Sequence, residues 1–238
     1  DKAQLDTTNS RRYYSEMWLS SCYMQLGKIK EAQAISPDYY MVPPIDRRLT
    51  VESDRFSELS NMFAQAGNLE RALEYALRCA DIEKQVAGKE HIWYGNSTII
   101  IGNLYYALGD SINAEENYLI NKNICKHTYG EYSERYVDAL LSLASVNTDF
   151  SMKDGLDKAT RYLDEAYSIA HKRYPLLEAQ IVNQQSVIAF RNKNYEQAKT
   201  LMMQALSLCE LAEGKTSNNY EILLSNTIDL YQMFGQYD

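Results

Sequence analysis

The sequence predicts an all-α fold made of antiparallel pairs of helices, and three observations support that expectation. Among 238 residues there are twenty tyrosines but five phenylalanines, ten glycines and four prolines, a composition that favours long amphipathic helices over a turn-rich β architecture. A short turn, in which a glycine is followed five residues later by an alanine, recurs along the chain. On both sides of that turn, apolar and small residues recur three or four places apart, as they do on one face of a helix.

Charge, hydropathy and cysteine spacing narrow the classes of partner and ligand. The formal net charge is -8 with no basic stripe, so we expect no nucleic-acid partner, because basic charge dominates nucleic-acid affinity. No run of about 18 apolar residues occurs, so we expect no membrane insertion within this segment. The cysteines lack CxxC or CxxH spacing, which predicts buried reduced thiols and no metal site; they are Cys22, Cys79, Cys125 and Cys209. Free thiols favour a cytoplasmic protein, the alternative being a periplasmic sensor domain whose signal peptide has been removed.

The recurring turn predicts where each helix pair changes direction. It occupies residues 26–32, 66–72, 108–114 and, cut short, 234–237. Residues 193–198 keep the pattern but carry Lys193 in place of the glycine. Glycine supplies the backbone conformation that ends a helix and that residues with a side chain resist. We therefore expect one helix before and one helix after each turn.

Small and large residues alternate at matching places in each pair. In the first helix an apolar residue precedes a small one, at Leu19-Ser20, Leu59-Ser60, Ile101-Gly102 and Leu143-Ala144. In the second helix the small and large residues are Ala72, Ala76 and Cys79; Ala114 and Tyr118; Ala159, Leu163 and Ala166; and Ala198, Met202 and Ala205. Small residues let two helices approach closely while large ones fill the gap, so these positions predict the helix–helix contacts.

The spacing of these features identifies a family resemblance. The repeats start near residues 13, 53, 95, 137, 179 and 221, so most are 42 residues long. A glycine followed six residues later by a tyrosine repeats with the same period, at Gly88 and Tyr94, Gly130 and Tyr136, and Gly214 and Tyr220. With these positions the chain resembles the tetratricopeptide repeat family. Residues 88–97 resemble the 42-residue kinesin-light-chain-type repeats that occur in bacterial signalling and scaffold proteins, although the family usually has proline at Ile92 and the link near Tyr174-Pro175 lacks the glycine.

The resemblance implies a right-handed α-solenoid, a superhelix whose first helices line a concave groove. We expect residues 1–238 to form a single array of five helix pairs plus the first helix of a sixth, and the chain to be a fragment of a larger protein. The first unit is irregular, because Pro37, Pro43 and Pro44 interrupt its second helix over residues 36–47. That segment either caps the N-terminal helices or lies in the groove or a subunit contact. The fourth unit carries about three extra residues around 149–154.

The groove positions of the family predict a protein- or peptide-binding scaffold. They fall on Met17, Ser21, Asn61, Asn103, Tyr106, Ser145, Asn183, Gln184, Phe190, Arg191 and Asn226. Asparagine and glutamine side chains carry both donor and acceptor groups, so they could hold the backbone of an extended peptide. Equally, they could be solvated polar positions on exposed helices. Because Asp54, Asp138, Asp149 and Asp229 lie near the groove, we expect a neutral or basic peptide.

No pattern of residues indicates an enzyme or a cofactor. The three histidines, His91, His127 and His171, fall in loops or helix ends without a nucleophile in a recognised spacing, and no phosphate-binding glycine-rich motif occurs. An alternative by family analogy is the sensory or regulatory domain of a signalling protein, such as a histidine kinase, a caspase-like protease or a transcription regulator. A further possibility is a homodimer through an apolar C-terminal end formed by Leu223, Leu224, Ile228 and Tyr231.

Overall fold

A computed structural model describes residues 47–150 and 154–233, together with Leu19, Tyr23 and Glu31. Over residues 47–150 and 154–233 the chain forms nine helices and no strand, so the predicted all-α fold is confirmed. The helices are α1 (Arg47–Gln65), α2 (Leu69–Val86), α3 (Ile92–Ala107), α4 (Ser111–Tyr129), α5 (Glu134–Asp149), α6 (Gly155–Ala170), α7 (Pro175–Arg191), α8 (Tyr195–Glu213) and α9 (Asn218–Met233). The proline-containing segment 36–46, Met17, Ser21 and Cys22 lie outside the described residues.

Odd-numbered helices are the first members of pairs, and even-numbered helices are the second members. From α3 onward, consecutive first helices begin 42, 41 and 43 residues apart. The turn within a pair is shortest at residues 66–68, 108–110 and 192–194, and it is longest between α5 and α6, where the sequence predicted extra residues. The assignment of residues 1–238 to a single array stays a prediction.

Side chains at the short turns explain where the second helices begin. The Asn68 Oδ1 atom accepts a hydrogen bond from the Arg71 backbone N–H at 3.2 Å. The equivalent residue one repeat later, Asp110, accepts from the Asn113 backbone N–H at 3.1 Å. Such caps satisfy donors that the first turn of a helix leaves without an intrahelical partner.

The chain divides into two compact units, Asp1–Tyr136 and Val137–Asp238, and each is described by itself. In the first unit, alanines 72, 76 and 80 of α2 pack with Ile101 and Leu104 of α3. Two of the small residues of the first helices, Ser60 and Gly102, lie at close contacts, as predicted. Ser60 is buried and donates a hydrogen bond to the Ala72 carbonyl at 2.9 Å, and a Cβ atom at Gly102 would lie 2.6 Å from a ring carbon of Tyr118.

The core of the second unit includes two apolar clusters around α7 and α8. Ala189 of α7 packs with Ala198 and Met202 of α8, and a separate cluster joins α7, α8 and α9. That cluster buries Leu223 against Leu206, so the expectation that Leu223 belongs to an exposed C-terminal end is wrong. Leu223 lies on the side of α9 that faces α8. Leu224 and Ile228 of α9 remain 39% and 49% exposed, and self-association through them stays a prediction.

Two lysines occupy backbone positions that glycine fills elsewhere in the chain. Lys193 has a φ of 63° in the turn between α7 and α8, at the place where the sequence pattern lacked its glycine. Lys172 has a φ of 60° between α6 and α7, 42 residues after Gly130 and 42 before Gly214, whose φ angles are 88° and 85°. The link near Tyr174-Pro175 therefore keeps the left-handed conformation although it has no glycine.

Candidate functional site

Within the described part of the first unit, the predicted groove residues lie on α1 and α3. Asn61 and Asn103 are 42 residues apart and both are exposed. Met62, the residue after Asn61, is 65% exposed, and Tyr106, three residues after Asn103, is half-buried. We name Asn61, Met62, Asn103 and Tyr106 the amide face. It combines polar amides with apolar surface, a composition suited to an extended polypeptide.

The amide group of Asn103 is held by a tyrosine of the neighbouring second helix. The Tyr118 hydroxyl donates a hydrogen bond to Asn103 Oδ1 at 2.8 Å. Tyr118 is 3% exposed, and its burial raises the pKa of the phenol to about 12, so the hydroxyl keeps its proton. Within the described residues the Asn103 amide nitrogen has no hydrogen-bond partner, and its N–H groups can bind a ligand.

Three of the predicted groove residues of the second unit, Ser145, Gln184 and Arg191, make hydrogen bonds within that unit. The Gln184 Nε2 atom donates to Ser145 Oγ at 2.9 Å and to the Leu141 carbonyl at 3.4 Å. Arg191 donates to the Thr148 carbonyl and to Asp149 Oδ1, the second bond at 3.0 Å. These bonds tie α7 to α5, and the carboxylate of Asp149 balances the positive charge of Arg191.

The remaining candidates of the second unit are not gathered into one constellation. The Phe190 ring lies 5.6 Å from the ring of Tyr195 at the α7–α8 turn. Asn226 is exposed on α9. The Asn183 Oδ1 and Gln184 Oε1 atoms are buried and have no hydrogen-bond partner within the described part of the chain. Such acceptors are expected to bind ordered water.

His91, His171 and the described cysteines make structural contacts. The His91 Nδ1 atom accepts from the Trp93 backbone N–H at 3.3 Å, which caps α3, and burial lowers the pKa of His91. His171 Nδ1 lies 2.7 Å from Glu178 Oε1. Cys79, Cys125 and Cys209 form no disulfide and are buried, as predicted, and burial raises the pKa of Cys79 and Cys209. Raised thiol pKa values disfavour the nucleophilic thiolate.

One recurrent contact between repeats was missed by the sequence analysis. The Lys84 ammonium lies 5.9 Å from the centre of the Tyr94 ring, and Lys126 lies at the same distance from Tyr136. Both residues of the second contact are 42 positions after those of the first. A search for charged residues with the period of the repeats would have found this link.

Two further observations concern the described residues alone. Within ranges 47–150 and 154–233, no three histidine, cysteine or acidic side chains cluster in a way that could hold a metal ion. No helix in the same ranges is long and apolar enough to cross a membrane.

Comparison with known families identifies the repeats. A model described as tetratricopeptide repeat matches residues 54–92, and a second model with the same description matches residues 179–210. Residues 54–92 and 179–210 are therefore tetratricopeptide repeats. Repeats of this family typically form scaffolds for protein interaction that have no catalytic activity. A search of curated proteins found no relative that matches this tetratricopeptide-repeat chain.

Solved structures show the same fold at low sequence identity. The tetratricopeptide-like repeats of a Podosopora anserina protein assigned as a kinesin light chain are 18% identical, with a TM-score of 0.60, and the match covers 79% of this chain and 87% of that one. A second structure of those repeats gives a TM-score of 0.58 at 18% identity, covering 79% and 88%. BtubC (BKLC) from P. vanneervenii is 14% identical, with a TM-score of 0.63, covering 91% and 92%. The tetratricopeptide-repeat chain therefore has the fold of an all-α solenoid of helical repeats.

Proposed function

We propose that this protein is a scaffold that binds an extended peptide on the amide face of its first unit. The observation that carries the proposal is the exposure of Asn61 and Asn103 at equivalent positions of two first helices. Both amides can bond the main chain of a peptide without selecting its side chains. Met62 and Tyr106, one and three positions after these asparagines, add apolar surface to the proposed face.

The charges near the amide face favour a neutral or basic ligand. Asp54 and Glu58 are exposed on α1, about two turns and one turn before Asn61. Their negative potential would attract lysine or arginine side chains and repel acidic ones. The whole chain has the same sign of charge, at -8.

The second unit supports peptide binding less well. Ser145, Gln184 and Arg191 already have partners on α5 and α7. A peptide that used them would first have to break those bonds, each of which stabilises the fold by about 1 kcal/mol. We therefore assign the principal binding surface to α1 and α3.

A selection of displayed twelve-residue random peptides on the full chain tests this proposal. The variant to compare is Asn103→Asp, which replaces the amide N–H donors with an oxygen but keeps an acceptor for Tyr118. We expect selected peptides to bind this variant about 10-fold more weakly, because a main-chain carbonyl would face a carboxylate. Affinities are measured by fluorescence anisotropy, and the melting temperature should change little.

Asn123→Asp is the matched control, because Asn123 is an exposed asparagine on α4, away from the amide face. It adds the same negative charge and should leave peptide affinity unchanged. Gln184→Ala should likewise preserve binding while lowering stability. The proposal fails if the double variant Asn103→Asp and Asn61→Ala binds the selected peptides with unchanged affinity. It also fails if Asn123→Asp lowers their affinity as much as Asn103→Asp does.

A further inference from the structure

We propose that Tyr118 is a positioning residue that makes the Asn103 site selective for a hydrogen-bond acceptor, such as a main-chain carbonyl oxygen of the ligand. An isolated asparagine amide can rotate and present either its oxygen or its nitrogen. Tyr118 occupies the oxygen, so the nitrogen is left for the ligand. This inference rests on the proposed function, because it assigns the chemistry of one position on the amide face.

The direction of the Tyr118 bond follows from burial. Among the described residues, Asn103 Oδ1 is the acceptor for the Tyr118 hydroxyl, at 2.8 Å. If the amide were reversed, its nitrogen would donate to the phenol oxygen, and the buried O–H would lose its acceptor. A buried donor without a partner is unfavourable, so the orientation in which Asn103 Oδ1 accepts from the hydroxyl is preferred. A proton remains on the hydroxyl at neutral pH, since burial raises the pKa of Tyr118 to about 12.

Gly102 is what allows a side chain of α4 to reach an exposed residue of α3. A Cβ atom at residue 102 would lie 2.6 Å from Tyr118 Cε1 and 2.7 Å from Cδ1, closer than such atoms approach. The ring can cross the α3 backbone only because that atom is missing. The equivalent residues 42 or 84 positions away carry a Cβ atom; they are Ser60, Ala144 and Ser186.

The equivalents of Tyr118 in the other described pairs have no hydroxyl group. The residue 42 positions earlier is Ala76, and the residue 84 positions later is Met202; in α6, whose pair carries about three extra residues, the equivalent is Leu163. Asn61 therefore has no counterpart of the Tyr118 bond, and its amide can present either group. The structure thus distinguishes two equivalent asparagines: Asn103 selects for acceptors, while Asn61 does not.

A thioamide scan of a peptide selected on the wild-type chain tests this selectivity. Replacing one main-chain carbonyl oxygen with sulfur weakens that acceptor without changing the side chains. We expect one position whose replacement lowers affinity about 5- to 10-fold on the wild type and has little effect on Asn103→Ala. On Tyr118→Phe the same replacement should have a smaller effect, because the amide can rotate.

Asn103→Ala and Tyr118→Phe separate the proposed function from the positioning role of Tyr118. If Asn103→Ala leaves affinity unchanged, the amide face is not the binding surface and the proposed function fails. If Asn103→Ala weakens binding but Tyr118→Phe retains the full thioamide effect, the proposed function stands and the positioning role of Tyr118 is overturned. Tyr118→Phe keeps the ring that covers Gly102, so it is expected to fold.

A measurement on the free protein tests the orientation without any peptide. The side-chain amide of Asn103 should be as rigid as the helix backbone in the wild type, and its NMR order parameter should fall below about 0.6 in Tyr118→Phe. Asn61, which lacks the bond, serves as the internal reference. Equal order parameters for Asn103 in the two proteins would overturn the inference.

Discussion

Glu83 of α2 has a buried Oε2 atom without a hydrogen-bond partner in the described part of the chain. Burial raises the pKa of Glu83 above its ordinary value of 4.5, and the negative charge of Asp54 raises it further. Hydrogen bonds from Ser97 and Cys79 oppose that rise. Ionisation of Glu83 in this buried position therefore destabilises the folded state.

We predict that Glu83→Gln stabilises the protein at neutral pH. Because the folded-state pKa is raised, the folded state holds the proton more tightly than the unfolded state, and wild-type stability falls as the pH rises from about 4.5 through the folded pKa. Glutamine does not titrate. The advantage of the variant should therefore be largest above that range and vanish below it.

Urea unfolding between pH 4 and pH 8 measures this difference. Glu52→Gln, at an exposed position on α1, controls for the loss of one negative charge from an acidic chain. A Glu83→Gln advantage that persists at pH 4, or that equals the effect of Glu52→Gln, would contradict the assignment.

At the scale of elements, residues with a left-handed backbone lie in the links between helices. Lysine at position 193 was predicted to occupy a turn because the surrounding spacing matched the other repeats. Lysine at position 172 was missed, since the sequence showed only that the glycine was absent. In the structure, Glu178 holds the link between α6 and α7. Its Oε2 atom accepts a hydrogen bond from the Lys172 backbone N–H at 3.0 Å, and its Oε1 atom contacts His171. A pairing between residues six and seven positions apart has no strong sequence signal.

We predict that Lys172→Gly and Lys193→Gly each stabilise the chain by about 0.5–1 kcal/mol. A left-handed backbone is unfavourable for a residue with a Cβ atom by about 1–2 kcal/mol, and the added flexibility of glycine in the unfolded chain offsets part of the gain. The midpoint of urea unfolding should rise while the slope stays unchanged.

Lys89→Gly provides the comparison for this pair of variants. Lys89 lies in the link between α2 and α3, and it is not among the residues with positive φ. Glycine there should give no gain, because no backbone strain is relieved. Equal stabilisation at position 89 would show that the effect does not come from the left-handed conformation.

At the scale of the whole molecule, periodicity predicted the helices and their packing, whereas the hydrogen bonds of the groove candidates do not repeat with it. The pattern of small and large residues located the contacts at Ser60 and Gly102 because packing repeats with the chain. The role of individual groove residues does not repeat in this way. Ser145 and Asn103 occupy equivalent positions. Ser145 accepts a hydrogen bond from Gln184, whereas Asn103 accepts one from Tyr118. The identity of the neighbouring side chain decides whether a groove residue makes a structural hydrogen bond or keeps a donor available to a ligand.

The close packing at Gly102 also predicts how far a destabilising substitution there affects the rest of the molecule. We expect Gly102→Ala to reduce stability by about 1–3 kcal/mol, because the new methyl group overlaps the Tyr118 ring. Repeat arrays are stabilised by contacts between neighbours. Amide hydrogen exchange should therefore accelerate in α3 and α4 while α7 and α8 keep their protection.

Two further variants make this prediction specific. Ala198→Leu, at a fully buried position of α8, should produce the reverse pattern, with faster exchange in α7 and α8. In a Tyr118→Ala background the overlap is removed, so Gly102→Ala should become stabilising by up to about 1 kcal/mol, the ordinary preference of a helix for alanine over glycine. Uniform acceleration across all described helices would instead mean that the chain opens as one cooperative unit. A persistent loss in the Tyr118→Ala background would show that the overlap with the ring is not the cause.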